Sequence, residues 1–159
     1  MRKSIDIFYE RIECDSKRII ALLLKFKDVN ILLFNLYMPY ESANNNSDDF
    51  LMQLSLVSDI IDRFPDAQVI LGGDLNTDFN RAGTHTQLLL DFAARSRLIP
   101  CSELAGYSVD YTYHLNCGRL SSLDHFMLSP TLAGSPEIRV TVSHPVDNTS
   151  DHDPITLYL

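Results

Sequence analysis

Two dense apolar runs stand near the start of the chain. Arg18 to Lys27 (RIIALLLKFK) and Ile31 to Tyr37 (ILLFNLY) flank a short polar turn at residues 27–30, a spacing that predicts a β-hairpin. Pro39 ends the second strand, because it has no N–H to give to a ladder. Glu41 to Ser47 (ESANNNS) is a polar loop, and Ser47 with Asp48 and Asp49 is a helix start: a capping hydroxyl with acids at the positive end of the dipole. Phe50, Leu54, Val57, Ile61 and Phe64 then recur every three or four residues, one apolar helical face that Pro65 closes. Ala67 to Leu71 (AQVIL) reads as a short buried strand broken by Gly72-Gly73. Thr84 is the expected cap of a second helix carrying Leu88, Leu89, Phe92 and Ala93.

Four more strand-like runs follow: Ser108 to Leu115, Ser122 to Ser129, Ile138 to Ser143 and Ile155 to Leu159, with Pro130 to Pro136 as loop. Leu157 and Leu159 carry the apolar pattern to the last residue, so the C-terminus reads as a packed strand. Strands interleaved with two amphipathic helices predict an α/β class with a mixed sheet in one domain. The 159 residues, 45% of them hydrophobic, suffice to bury a core. No stretch approaches the roughly 18 apolar residues of a membrane span. The first residues (MRKSIDIFYERIEC) lack the apolar run of a signal peptide. Cys14, Cys101 and Cys117 form no CxxC pair or zinc pattern and read as free thiols of a reducing compartment. The formal net charge of -8 counts against a simple nucleic-acid binder, yet it suits a site where carboxylates gather around a divalent cation.

Three clusters could carry chemistry. In Leu71-Gly72-Gly73-Asp74-Leu75-Asn76 a strand runs into two glycines and presents Asp74 and Asn76 two positions apart, on one face if the chain is extended. The same residues also suit a plain polar turn. In Ser121 to Ser129 (SSLDHFMLS), alternation points Asp124 with Phe126 and Leu128 toward an apolar face, where a carboxylate needs a partner. It could orient a catalytic histidine or form a structural ion pair. Ser150-Asp151-His152-Asp153-Pro154 places a carboxylate beside an imidazole just before the last strand, as a metal ligand and a transition-state donor or as an ordinary acidic loop. Each cluster lies at a strand end or beside one, where the sites of α/β sheets gather. Together they suggest a hydrolase in which Asp124 holds His152, as a carboxylate fixes the imidazole of other hydrolytic sites.

The segments GGDLN (72–76), SSLDHFMLS (121–129) and SDHDP (150–154), preceded by Asn35-Leu36-Tyr37-Met38-Pro39, resemble in order the motifs of the endonuclease/exonuclease/phosphatase superfamily. The pattern VDYTYHLNCGRLSSLDHFMLSP is similar to LINE-type retrotransposon endonucleases, and SDHDPITLYL also looks like apurinic/apyrimidinic endonucleases. The resemblance implies a four-layer α/β sandwich of the DNase I-like type, here partial. It implies Asp74 as general base or metal-side carboxylate, Asn76 holding the water or phosphate, and His152 donating to the phosphate oxygens with Asp124 behind it. Asp151 would join the Mg²⁺ environment (Mn²⁺ as a substitute), Tyr37 would meet the scissile phosphate, and Thr112 and Ser150 would bind it. The implied activity is metal-dependent nicking of DNA, with a reverse transcriptase domain as partner in the full-length protein and a nuclear location. Two other outcomes stay open: a phosphatase for a small phosphorylated molecule, and a catalytically impaired fragment.

The superfamily opens with two further strands bearing an Asn and a metal-binding Glu, and nothing before residue 18 matches them. Glu10 and Glu13 lie outside the family's pattern. The expectation is therefore a domain without its first strands, with the 18–37 hairpin as an open sheet edge.

Overall fold

The computed structural model describes residues 8–41, 47–115 and 118–159. Cys117 and the interior of the polar loop before the first helix lie outside these residues.

The hairpin forms as its pattern requires. Strands β2 (Ile19–Lys25) and β3 (Asn30–Tyr37) pair antiparallel, with Ala21 opposite Phe34 and Leu23 opposite Leu32 on the buried face. It is not the sheet edge, however. Strand β1 (Phe8–Ile12) precedes it and pairs antiparallel with β2, so the expectation that the 18–37 hairpin is an open sheet edge is corrected. The reason it escaped notice is that only Ile12 of β1 is buried, so the strand shows no apolar alternation. Glu10 spends its charge in an exposed ion pair with Lys25, 2.8 Å away.

Helix α1 (Ser47–Asp62) crosses from β3 to the parallel strand β4 (Gln68–Asp74). Its inner face is Phe50, Leu54, Val57 and Ile60; Ile61 is only partly buried. Helix α2 (Thr84–Arg95) packs beside it through Leu89, Phe92 and Ala93. Thr84 is not its cap. Gly83 holds that position without a side-chain bond, and the Thr84 N–H donates instead to the Glu41 carboxylate, 2.9 Å away. A remote carboxylate at the positive helix end does the work expected of a local hydroxyl.

The second half of the chain is more broken than its apolar runs suggest. After the short β5 (Ile99–Pro100) and a 3-10 turn (Cys101–Glu103), residues 108–115 do not make one strand. They contribute to β6 (Tyr107–Ser108) and β7 (Tyr113–His114), which belong to different sheets. Strand β8 (Leu120–Ser121) pairs with β7, and β9 (Asp124–Leu128) joins the large sheet. The expected loop at 130–136 contains a single-turn helix α3 (Pro130–Ala133), for which Pro130 sits well in the first turn. Strands β10 (Arg139–Val142) and β11 (Ile155–Tyr158) pair antiparallel.

Among the described residues, the large sheet has the order β1-β2-β3-β4-β9-β5, and a smaller sheet has the order β11-β10-β6. One face of the large sheet meets α1 and α2 over Phe34, Leu71 and Met127. The other face, through Ile70 and Leu128, meets Val140 of the smaller sheet and Ile138 just before its strand β10. Strand β4 is thus buried on both sides, which is why Val69, Ile70 and Leu71 run without alternation. The result is α/β with mixed sheets, in three layers among the described residues: helices, large sheet, small sheet. Gly72 is required here, since a Cβ would stand 2.5 Å from the Phe126 ring on β9. Gly73 has φ +130°, and its Cβ would strike the Leu36 carbonyl at 2.2 Å.

Candidate active site

Strand register builds the first row of the site. Tyr37 at the end of β3 lies opposite Asp74 at the end of β4, and Asp74 lies opposite Asp124 at the start of β9. Neighbouring strands are about 4.8 Å apart, so three residues distant in sequence stand side by side at one sheet edge.

His152 arrives from the loop between β10 and β11. A backbone bridge to Tyr113 seats it there. Its Nδ1 donates to Asp124 Oδ2 at 2.8 Å, and its Nε2 faces Asp74 Oδ2 at 3.9 Å. One ring nitrogen is therefore held and the other looks into the cleft. Burial works against the imidazolium, but the Asp124 bond and the charges of Asp124, Asp74 and Asp151 outweigh it and raise the His152 pKa. Burial likewise raises the Asp74 pKa, with Asp124 and Asp151 adding to it against the Asn76 N–H and His152.

Asn76 reaches Asp74 by a different route from the expected extended face. Its φ is +48°, a left-handed turn that asparagine tolerates. Its N–H donates to Asp74 Oδ1 at 2.9 Å, and its amide donates to Met38 O at 2.8 Å and to Asp74 Oδ2 at 3.2 Å. Asp74 is thus held by two donors from one residue.

A cleft of about 650 Å³ is lined by Tyr37, Tyr40, Asp74, Asn76, Tyr113, Leu123, Asp124, Ser150, Asp151 and His152. The expected residues Tyr37, Asp74, Asn76, Asp124, Ser150, Asp151 and His152 are all brought together here. Thr112 is not. It has no exposed surface, and its Oγ1 accepts the N–H groups of Leu123 and Asp124 at 2.9 and 3.0 Å. The structure places Thr112 outside the cleft lining, as a brace behind the start of β9. Its neighbour Tyr113, on β7, lines the cleft instead. Tyr40 and Tyr113 are cleft residues that motif reasoning passed over; the Tyr113 ring centroid is 5.0 Å from that of His152.

The other Asp-His dipeptide is split. Asp124 faces the cleft, whereas His125 is buried, its Nε2 2.8 Å from Thr77 O and 2.9 Å from Ser122 O. Burial lowers its pKa, so it stays a neutral ring in the core.

Asp74, Asp124 and His152 offer ligand atoms that all lie within 4.8 Å of one another. Asp124 and His152 are committed to each other, so Asp74, with Asp151 beside the cleft, is the donor left for a cation. Hard carboxylate oxygens at an open, wet site suit Mg²⁺ or Mn²⁺, which keep several waters. The raised Asp74 pKa fits as well, since a cation would relieve the crowding of like charge.

Compared by sequence, the chain matches no protein-family model and no curated protein. Compared by structure, it matches many solved proteins. The endonuclease domain of TRAS1, a telomere-specific non-LTR retrotransposon, superposes with a TM-score of 0.73 at 14% identity, covering 96% of this chain and 66% of that one. The AP endonuclease LMAP from Leishmania major gives 0.74 at 15% identity, covering 98% and 61%. The 3′ phosphatase NExo from Neisseria, bound to product DNA hairpin, gives 0.66 at 17% identity, covering 96% and 70%. The chain thus spans less than two thirds of the length of the first two. The fold is the DNase I-like α/β fold that these proteins share. Among the described residues no helix is long and apolar enough to cross a membrane.

Proposed function

We propose that this chain is a metal-assisted phosphodiesterase whose substrate is a DNA strand. The observation that carries the reading is the held pair His152–Asp124 facing Asp74 across 3.9 Å, with Asn76 clamped on Asp74. Asp74 accepts the proton of the attacking water. As the new P–O bond forms and the bond to O3′ breaks, His152 donates to the phosphate oxygens on which negative charge builds, and O3′ takes a proton from solvent water to leave as the 3′ hydroxyl. Asp124 keeps the imidazole protonated and oriented, and Asn76 keeps Asp74 from rotating away. Asp74 and Asp151 would hold Mg²⁺ or Mn²⁺, which supplies charge neutralisation at the phosphate when bound. Ser150 and the aromatic rim of Tyr37, Tyr40 and Tyr113 would flank the strand.

The finer reading is nicking of target DNA by a retrotransposon-type endonuclease, the product 3′ hydroxyl priming a reverse transcriptase domain of a longer protein. The order and wording of the motifs support it. A phosphatase for a small phosphorylated molecule is favoured by one observation, the net charge of -8. Supercoiled plasmid incubated with the chain and Mg²⁺ or Mn²⁺ should be nicked, and His152→Ala and Asp74→Ala should abolish the nick. Intact plasmid together with phosphate release from small monoesters would transfer the proposal to the phosphatase, and no turnover of either would defeat it.

A further inference from the structure

The loop that delivers His152 is closed at its base by a second imidazole–carboxylate pair. Beyond the last rungs of β10 and β11, the Ser143 N–H donates to Pro154 O at 3.0 Å. One position further into the loop, His144 Nδ1 donates to Asp153 Oδ2 at 2.7 Å. The Asp153 side chain is only 4% exposed, so its charge needs every partner it has. Its Oδ1 accepts from Asn148 Nδ2 at 2.8 Å, and its N–H donates to Thr112 O at 2.7 Å.

Asn148 is the link to the cleft. The same Nδ2 donates to the His152 carbonyl at 2.8 Å, and Oδ1 accepts the Ser150 N–H at 3.0 Å. Both ends of one amide are thus used on the segment that carries Ser150, Asp151 and His152. The outer side of His144 is occupied too: Nε2 is 3.0 Å from Asp110 Oδ1, and Tyr111 stacks on the ring at 4.3 Å. His114, the other titratable group nearby, stands 3.9 Å from Asp153, and its N–H donates to Asp151 O.

We propose that Asn148, anchored by the His144–Asp153 pair, is a positioning residue that sets the His152 imidazole against Asp124. The inference rests on the functional reading above for its catalytic consequence, though not for its geometric one. An amide whose Nδ2 bonds both a backbone carbonyl and a buried carboxylate, and whose Oδ1 accepts a backbone N–H, fixes the loop in one pose. Misplacing a reacting group by about 1 Å can cost on the order of a hundredfold in rate.

The test uses the whole chain and two readouts, kcat and KM on a diester oligonucleotide and the low-field proton resonance of the His152 imidazole N–H bonded to Asp124. Asn148→Ala should lower kcat by about tenfold to a hundredfold with little change in KM, and should broaden or erase the resonance. Asn148→Asp, equal in size, should do the same by setting a carboxylate against Asp153. His144→Ala should follow them, and His144→Gln, which keeps a donor to Asp153, should restore most of the loss. A merely structural role predicts a lower melting temperature with kcat and the resonance intact in the folded variants, and that result would overturn the inference. A wild-type chain that turns over no diester would remove the functional reading alone, since the resonance still decides whether Asn148 sets the imidazole.

Discussion

His152–Asp124 and His144–Asp153 are nearly the same contact, 2.8 and 2.7 Å from Nδ1 to a carboxylate oxygen, on two sides of one loop. They differ in what the second nitrogen meets. That of His152 faces Asp74 at 3.9 Å across an open cleft, whereas that of His144 is already bonded to Asp110 at 3.0 Å. A saturated imidazole can hold a loop but has nothing left to offer a substrate. An imidazole bonded once is oriented and still has a donor to spend. Thr112 stands between the two pairs, its hydroxyl on the Asp124 N–H and its carbonyl on the Asp153 N–H.

The comparison breaks most sharply at the cleft. His152→Ala should lower kcat/KM on a diester by about 10²–10⁴-fold with little change in melting temperature. An equal loss for His144→Gln would erase the distinction between the two rings. Next, Asp124→Asn replaces the carboxylate that raises the His152 pKa by a neutral, weaker acceptor. If the protonated ring is the working form, activity falls as pH rises through that pKa, so the alkaline limb of the pH–rate profile should move to lower pH. An unmoved limb would mean that another group sets it. The acid limb, set by Asp74, should also move to lower pH, because the Asp124 charge helps to raise the Asp74 pKa.

Thr112→Val keeps the shape of the side chain and removes only the hydroxyl. It leaves two backbone N–H groups short of an acceptor and should cost roughly 1–3 kcal/mol of stability, read by denaturant unfolding, with KM unchanged. A raised KM would return Thr112 to the phosphate. The smallest effect concerns pH and the rear pair. The Asp153 and Asp110 bonds raise the His144 pKa above 6.5. Its stabilisation is therefore full below that ordinary value and lost as pH rises through the raised one. For Asp153, burial opposes the charge, but the His144 and Asn148 bonds prevail and lower its pKa below 3.8. Its contribution is present above 3.8 and lost as pH falls through the lowered value. The melting-temperature gap between the wild type and His144→Ala should accordingly be widest between those limits and close as pH rises past the raised His144 value. A pH-independent gap would mean that the stacking on Tyr111, rather than the charge, holds His144.

What the sequence could settle was local. The apolar runs Arg18–Lys27 and Ile31–Tyr37 about their polar turn, the apolar face of Phe50 to Ile61 and the glycines before Asp74 are written in neighbouring residues, and hairpin, helix and strand end follow from them. The ordered Asp, Asn and His motifs likewise named residues that share one cleft in the structure. Strand β1 was hidden because its side chains stay exposed, and the cap of α2 because Glu41 supplies it from more than forty positions away. The motifs did suggest that Asp124 meets His152, and the two stand 2.8 Å apart. The second pair, His144 with Asp153, was not legible, because the closure of the last loop alone brings its two members within reach. Side-chain periodicity is a property of neighbouring residues, whereas the partner of a buried charge is whichever group the packed sheets bring within hydrogen-bond reach.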